Sequence, residues 1–144
     1  MIRAGRGRII NVTSAPLGGI PYIGAYSASK AAQTSLSRTI AGEAQQFGIS
    51  AFAYFPGVVR TAMLEWAASS PDVQSPLGGI FREMLDGGRD TPIERSTEQL
   101  MVIASGRLDA LSGRYFHVND DLDDLLTRTE EIERDNLYTQ RRVT

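Results

Sequence analysis

The sequence predicts an α/β fold, a parallel sheet of about three strands with helices on both faces. Three observations carry that expectation. Short β-branched or aromatic runs alternate with segments of helical periodicity, the order that yields parallel sheets rather than hairpins. Residues 49–55 are apolar at both alternating sets of positions, as a strand covered by helices on each side must be. Small polar or glycine-bearing pairs, Thr13-Ser14, Pro56-Gly57 and Val118-Asn119, follow the strands at the carboxyl ends where such sheets bind ligands.

Residues 8–14 read as a buried strand leading into a loop. Pro16, Gly18, Gly19, Pro21 and Gly24 forbid a regular element across residues 15–24. Ala28, Ala32, Leu36, Ile40 and Ala44 recur every four residues, broadened by Ala31, Thr39 and Phe47. They predict a helix over residues 27–47 that packs on this stripe, with Gly48 as its cap. Residues 49–55 form the second strand, halted by Pro56-Gly57. A long excursion over residues 61–95 holds short helices near residues 62–68 and 77–85. Ser96 with Gln99 three residues on predicts a capped helix running to about Leu108. Residues 113–118 give the third strand. The tail from Asp120 carries eight of seventeen acidic residues and reads as one amphipathic helix, with a frayed end at residues 141–144.

Composition excludes several functions. The chain has 144 residues, 42% hydrophobic and 22% charged, with a formal charge of −2 and a pI near 5.4. That balance excludes a general nucleic-acid or membrane-surface binder, which needs a basic face. No apolar run approaches a membrane span, and no apolar signal core follows the N-terminus, so a cytoplasmic setting is expected. The absence of cysteine removes disulfides, thiolate metal sites and thiol nucleophiles together. A lone histidine, His117, cannot build a multi-histidine metal site and reads as structural. The acidic run at residues 120–124 reads as a solvated face, and no metal is expected.

Fourteen of the fifteen basic residues are arginine; the remaining one is Lys30, four residues after Tyr26. At that spacing in a helix the two side chains share a face. An unperturbed phenol titrates near pH 10, and an ammonium beside it favours the phenolate. Ser14, at the end of the neighbouring strand, offers a hydroxyl to a carbonyl oxygen. Such a set suits proton transfer to or from an alcohol or carbonyl oxygen, the partner step of a hydride transfer.

Ile9-Ile10-Asn11-Val12-Thr13-Ser14, Tyr26-Ser27-Ala28-Ser29-Lys30-Ala31-Ala32 and Pro56-Gly57-Val58-Val59-Arg60-Thr61 together resemble the C-terminal half of a short-chain dehydrogenase/reductase, over about residues 8–118. The resemblance implies half of a Rossmann-type doubly wound parallel sheet. It also implies an NAD(P)-dependent oxidoreductase acting on a small carbonyl or alcohol substrate. Ser14 would orient the carbonyl, Tyr26 would be the general acid/base, and Lys30 would tune the tyrosine and bind the nicotinamide ribose. Pro56, Gly57 and Val59 would line the nicotinamide of NAD or NADP, with the Val59 backbone and Thr61 touching its carboxamide. Thr13 is the alternative to Ser14. Pro56-Gly57 is also an ordinary strand terminator, and Thr61 is alternatively a helix N-cap. Leu64 and Trp66, with Ile80, Phe81, Met84 and Leu85, form either an apolar substrate lid or core; a hydrophobic or cyclic substrate would suit them.

Within this framework residues 1–144 divide into an active-site segment (8–60), a lid excursion (61–95), a last helix and strand (96–119) and an acidic helix and tail (120–144). No glycine-rich strand–turn–helix precedes Ser14, and Gly5-Arg6-Gly7 has no strand before it. The pyrophosphate-binding turn and the residue that selects NAD or NADP are therefore expected on an N-terminal half that is absent, with Met1 at an internal position of a longer enzyme. A fragment of that kind is expected to be inactive alone and to expose a strand edge. In an intact enzyme the helix after Tyr26 would supply half of the family's usual homo-oligomer surface. The competing reading is a non-catalytic remnant that acts through protein association.

Overall fold

The computed structural model describes residues 1–15, 21–69 and 76–140, with Pro76 and Leu77 described by backbone alone. The expected turn residues Pro16, Gly18 and Gly19, and the expected frayed end at 141–144, lie outside the described residues. Strands β1 (Gly7–Val12), β2 (Ile49–Phe55) and β3 (Tyr115–His117) form a parallel sheet in the order β1-β2-β3. Helix α1 (Gly24–Ala44) joins β1 to β2. Helices α2 (Ala62–Ser69), α3 (Pro76–Asp86) and α4 (Ile93–Ser105) lie between β2 and β3, and α5 (Leu122–Thr127) and α6 (Thr129–Arg134) follow. Among the described residues no helix is long and apolar enough to cross a membrane.

Every residue of β2 is buried, as its two-sided apolar pattern predicts. One face presents Phe52 and Tyr54 to a core of Ile103, Leu108, Leu111, Phe116, Leu125 and Ile132. Phe52 and Phe116 pack with ring centroids 5.8 Å apart. The other face, with Ala51, Ala53 and Asn11, meets α1. The first strand, expected to be buried from its composition alone, lies at the exposed edge expected of a half-sheet: among the described residues β1 pairs with β2 alone, and Val12 is exposed. Its β-branched composition gives strand propensity, but only neighbours give burial.

The face on which α1 packs also departs from expectation. Thr34, Ser37 and Ala41 are buried, whereas Ala28, Ala32 and Leu36 of the apolar stripe are exposed, Leu36 by 54%. Small residues let the helix approach Ala51 and Ala53, and the buried hydroxyls find partners. Ser37 Oγ donates to Gln33 O at 2.8 Å and accepts from Asn11 Nδ2 at 2.9 Å. Thr34 Oγ1 donates to Lys30 O at 3.1 Å. A polar-looking face is thereby satisfied as core. Helix α1 also begins earlier than expected, at Gly24, and closes through a 3-10 turn at Gln45–Phe47, capped by Gly48 at φ +67°.

Ser96 does not cap a helix. Helix α4 starts at Ile93 behind Pro92 and stops at Ser105, short of Leu108, where Gly106 turns at φ +99°. Ser96 is buried inside it, and Gln99 donates to Asp120 O at 2.9 Å instead of closing a capping box. The third strand is shorter than residues 113–118, although Gly113 N and Val118 N still bond β2 carbonyls beyond its ends.

The acidic tail forms two helices rather than one. The break falls at Arg128, where Thr127 and Thr129 hydroxyls bond local carbonyls and compete with the helical pattern. Nor is the acidic run simply solvated. Asp121 caps α5 by accepting from the Asp123 and Asp124 N–H groups. Asp120 is half-buried and accepts from His117 N at 2.6 Å.

Burial raises the Asp120 carboxyl above its ordinary value, against the opposing His117 N–H bond and charge. A carboxyl whose pKa is higher folded than unfolded favours the fold when protonated. Its contribution therefore falls as pH rises from about 4 through the raised value. Asp120→Asn keeps an acceptor for His117 N without the charge. The variant's stability relative to the parent is expected to be more favourable at pH 7 than at pH 3. Urea denaturation at the two pH values measures this, and the opposite trend would contradict the assignment.

Candidate active site

Parallel pairing sets Val12 opposite Tyr54 and Phe55 opposite His117, so the carboxyl ends of all three strands share one edge of the sheet. Ser14, Pro56-Gly57 and Val118-Asn119 follow those ends, and the first turns of α1 rise beside them.

Tyr26 and Lys30 meet there as the helical spacing predicts. Lys30 Nζ lies 5.8 Å from the Tyr26 ring centroid, within cation–π range. The ammonium also donates to Val12 O and to Gln33 Oε1, each at 3.1 Å, which ties the helix to the last residue of β1. Tyr26 is 37% exposed, so its ring is open to a ligand. Buried Tyr54 and half-buried Tyr115 suit proton transfer less well. Burial pushes Tyr54 up to about 12 despite nearby Arg95, and its hydroxyl donates to Ser96 O at 2.9 Å. Burial and Asp120 push Tyr115 up as well.

The two candidate hydroxyls after β1 differ in what holds them. Thr13 is buried, and its Oγ1 bonds Lys30 O at 3.0 Å and Thr34 Oγ1 at 3.1 Å. That hydroxyl is committed to joining β1 with α1. Ser14 is half-buried, and no hydrogen bond among the described residues joins it to Tyr26 or Lys30. The sequence signal for Thr13's role was thin, because its partner Thr34 is brought alongside only by folding.

The Pro56-Gly57 turn is held from two sides. Ser96 Oγ donates to Pro56 O at 2.5 Å. Gly57 sits at φ +82°, packed against Thr91 and Val118. Val59 forms an isolated parallel bridge with Thr91, and Thr91 N donates to Val58 O at 2.7 Å. Local sequence pattern does not mark Ser96 or Thr91 as a support for this turn, since each lies more than thirty residues away in the chain. Thr61 Oγ1 accepts from Leu64 N at 3.3 Å, so it caps α2. Within α2 the two expected substrate residues separate: Leu64 is buried, whereas Trp66 is 62% exposed.

His117 stacks edge-on against Phe55, centroids 4.9 Å apart, and its Nδ1 accepts from Asn119 N at 2.9 Å. A cleft of about 550 Å³, lined in part by Arg38, Ser50, Asp109 and Glu133, lies at the opposite end of the sheet and adds nothing to this site.

Comparison with known proteins bears on the family and the fold. The family model for short chain dehydrogenase matches residues 1–71, which contain Ser14, Tyr26, Lys30 and the Pro56-Gly57 turn. The 17-beta-hydroxysteroid dehydrogenase type 6 of Bos taurus is 42% identical over 67 residues, 46% of this chain and 21% of that protein. Short chain dehydrogenase andI of Emericella variicolor is 33% identical over 125 residues, 86% of this chain and 38% of that protein. A Beutenbergia cavernae protein assigned as an NAD(P)-dependent gluconate 5-dehydrogenase, solved with NADP at low occupancy, superposes with a TM-score of 0.64 at 29% identity. The match covers 82% of this chain and 46% of that one. The chain thus spans less than half the length of each of these proteins. By its matched segment and by its three-stranded parallel sheet with flanking helices, the chain belongs to the short-chain dehydrogenase/reductase family.

Proposed function

We propose that this chain carries the proton-transfer site of an NAD(P)-dependent oxidoreductase that interconverts a small carbonyl compound and its alcohol. The observation that carries the reading is Lys30, held by the Val12 carbonyl and set against the open Tyr26 ring at the carboxyl edge of the sheet. The relatives' dehydrogenase names and the NADP of the Beutenbergia cavernae protein support the same reading.

The residues present fit the nicotinamide end of a dinucleotide. Among the described residues one N–H of the Lys30 ammonium remains for a ribose hydroxyl, and Gly57 at φ +82° turns the chain between Pro56 and Val59. Thr61 remains a candidate for the carboxamide, since capping uses its hydroxyl as an acceptor and leaves its proton free. When bound, the nicotinamide supplies hydride chemistry. In reduction, Tyr26 gives its phenolic proton to the substrate oxygen, while the Ser14 hydroxyl donates a hydrogen bond to that oxygen and orients it. In oxidation the same groups work in reverse. Lys30 sets its positive charge over the Tyr26 ring and anchors the ribose. Trp66, exposed on α2, is the better of the two expected substrate contacts, because Leu64 is taken up by core. The exposed Leu36 face of α1 suits association with a second copy.

In the 144-residue chain no glycine-rich strand–turn–helix precedes Ser14 to cradle a pyrophosphate. By itself it is expected to bind NADH and NADPH more weakly than micromolar and to turn over no substrate. Calorimetry with both nucleotides tests this, and micromolar binding would overturn the expectation of weak binding. The function itself is tested in a product joining this chain to a nucleotide-binding half. Oxidation of NADH or NADPH with carbonyl substrates is expected there. Nucleotide binding without any hydride transfer, in either direction across a panel of carbonyls and alcohols, would reject the oxidoreductase reading.

A further inference from the structure

We infer that Gln33 is a positioning residue for Lys30, and that its side-chain oxygen limits the lysine to one further hydrogen-bond partner. The inference deepens the proton-transfer reading and rests on Lys30 belonging to that site. An ammonium on a four-carbon stem has three donors and wide rotational freedom, so a single anchor leaves its direction loosely set. Lys30 has two anchors. Val12 O comes from the end of β1, and Gln33 Oε1 comes from the next turn of the same helix, both at 3.1 Å. Residues three apart on a helix share a face, so this contact needs no distortion of α1.

The position of Gln33 is itself secured. Its main-chain carbonyl accepts from Ser37 Oγ at 2.8 Å, and Ser37 Oγ accepts from Asn11 Nδ2 at 2.9 Å. A chain of hydrogen bonds from β1 therefore holds the turn of α1 that carries the amide. Because the amide is neutral, it orients the ammonium without neutralising it. With two N–H groups committed, one remains for a ligand hydroxyl or for the tyrosine oxygen.

Lys30 is the only lysine in the chain, so its 15Nζ–1H correlation gives a single side-chain ammonium signal in the 144-residue protein. In Gln33→Leu, exchange of those protons with water is expected to accelerate about fivefold, the population factor of one ordinary hydrogen bond. Gln33→Glu retains an acceptor and is expected to restore slow exchange. An unchanged rate in Gln33→Leu would overturn the assignment. So would equal acceleration in both variants, which would mark Gln33 as ordinary helix packing. Should either variant fail to fold, the unsubstituted chain decides: a coupling across the hydrogen bond from Lys30 15Nζ to the Gln33 side-chain carbonyl carbon is expected, and its absence would overturn the inference. These measurements use neither cofactor nor substrate. They can therefore fail while the oxidoreductase reading stands, and hold while turnover experiments reject it.

Discussion

Tyr26→Phe is expected to lower turnover by about 10²- to 10⁴-fold, the usual contribution of a positioned acid/base, in any active product containing this chain. Only the hydroxyl is removed. The ring stays beneath Lys30, whose ammonium remains anchored on Val12 O and Gln33 Oε1. Nucleotide affinity should therefore stay within a few-fold, so the loss would fall on kcat. Because Tyr26 is 37% exposed, the change should cost little stability, unlike a cut at buried Tyr54. Steady-state kinetics with separate nucleotide titrations measure both quantities. Turnover within tenfold of the parent would remove Tyr26 from the acid/base role and leave the site without a proton donor of suitable geometry.

Gly57→Ala is expected to destabilise the chain by about 3 kcal/mol, through two additive causes. Holding an L-residue in the left-handed region at φ +82° costs ~1–2 kcal/mol. The new Cβ would also overlap Thr91 Oγ1 and lie 2.8 Å from Thr91 Cβ and 3.0 Å from Val118 Cγ1. Crowding of that kind costs ~1–3 kcal/mol. Thr91 cannot withdraw freely, because its N–H is bonded to Val58 O at 2.7 Å. The midpoint of thermal unfolding should fall by roughly 10 °C. Adding Thr91→Ala should recover part of the loss by removing the overlapping hydroxyl, while the backbone strain stays. A loss below about 1 kcal/mol would mean that the turn relaxes at little cost.

The elements that were legible in the sequence are those set by local pattern. Both helices of the excursion lie within two residues of expectation, at Ala62–Ser69 and Pro76–Asp86. The two-sided burial of β2 follows directly from apolar residues at both alternating sets of positions. Helix α1 shows the limit. Its apolar stripe suggested one packing face, yet Thr34, Ser37 and Ala41 are the residues that meet the sheet. Hydroxyls bonded to the preceding turn and to Asn11 behave as core, and no periodicity count of apolar residues registers them. Ser96 shows the same limit: a residue that resembles a cap lies inside α4 because Pro56 O, forty residues away, takes its proton.

For the candidate site, the sequence by itself determined the Tyr26–Lys30 pairing and the three loop positions beside it. Helical spacing brings residues four apart together whatever the rest of the chain does, and strand–helix alternation sends every strand end to one edge. Only the tertiary structure decided that Thr13 is committed to Lys30 O and Thr34, and that Gln33 is seated by Ser37 and Asn11. Those outcomes turn on whether a donor finds an acceptor in another element. Pattern along the chain reaches about one helical turn; satisfaction of a buried polar group depends on partners that meet it only when the sheet has formed.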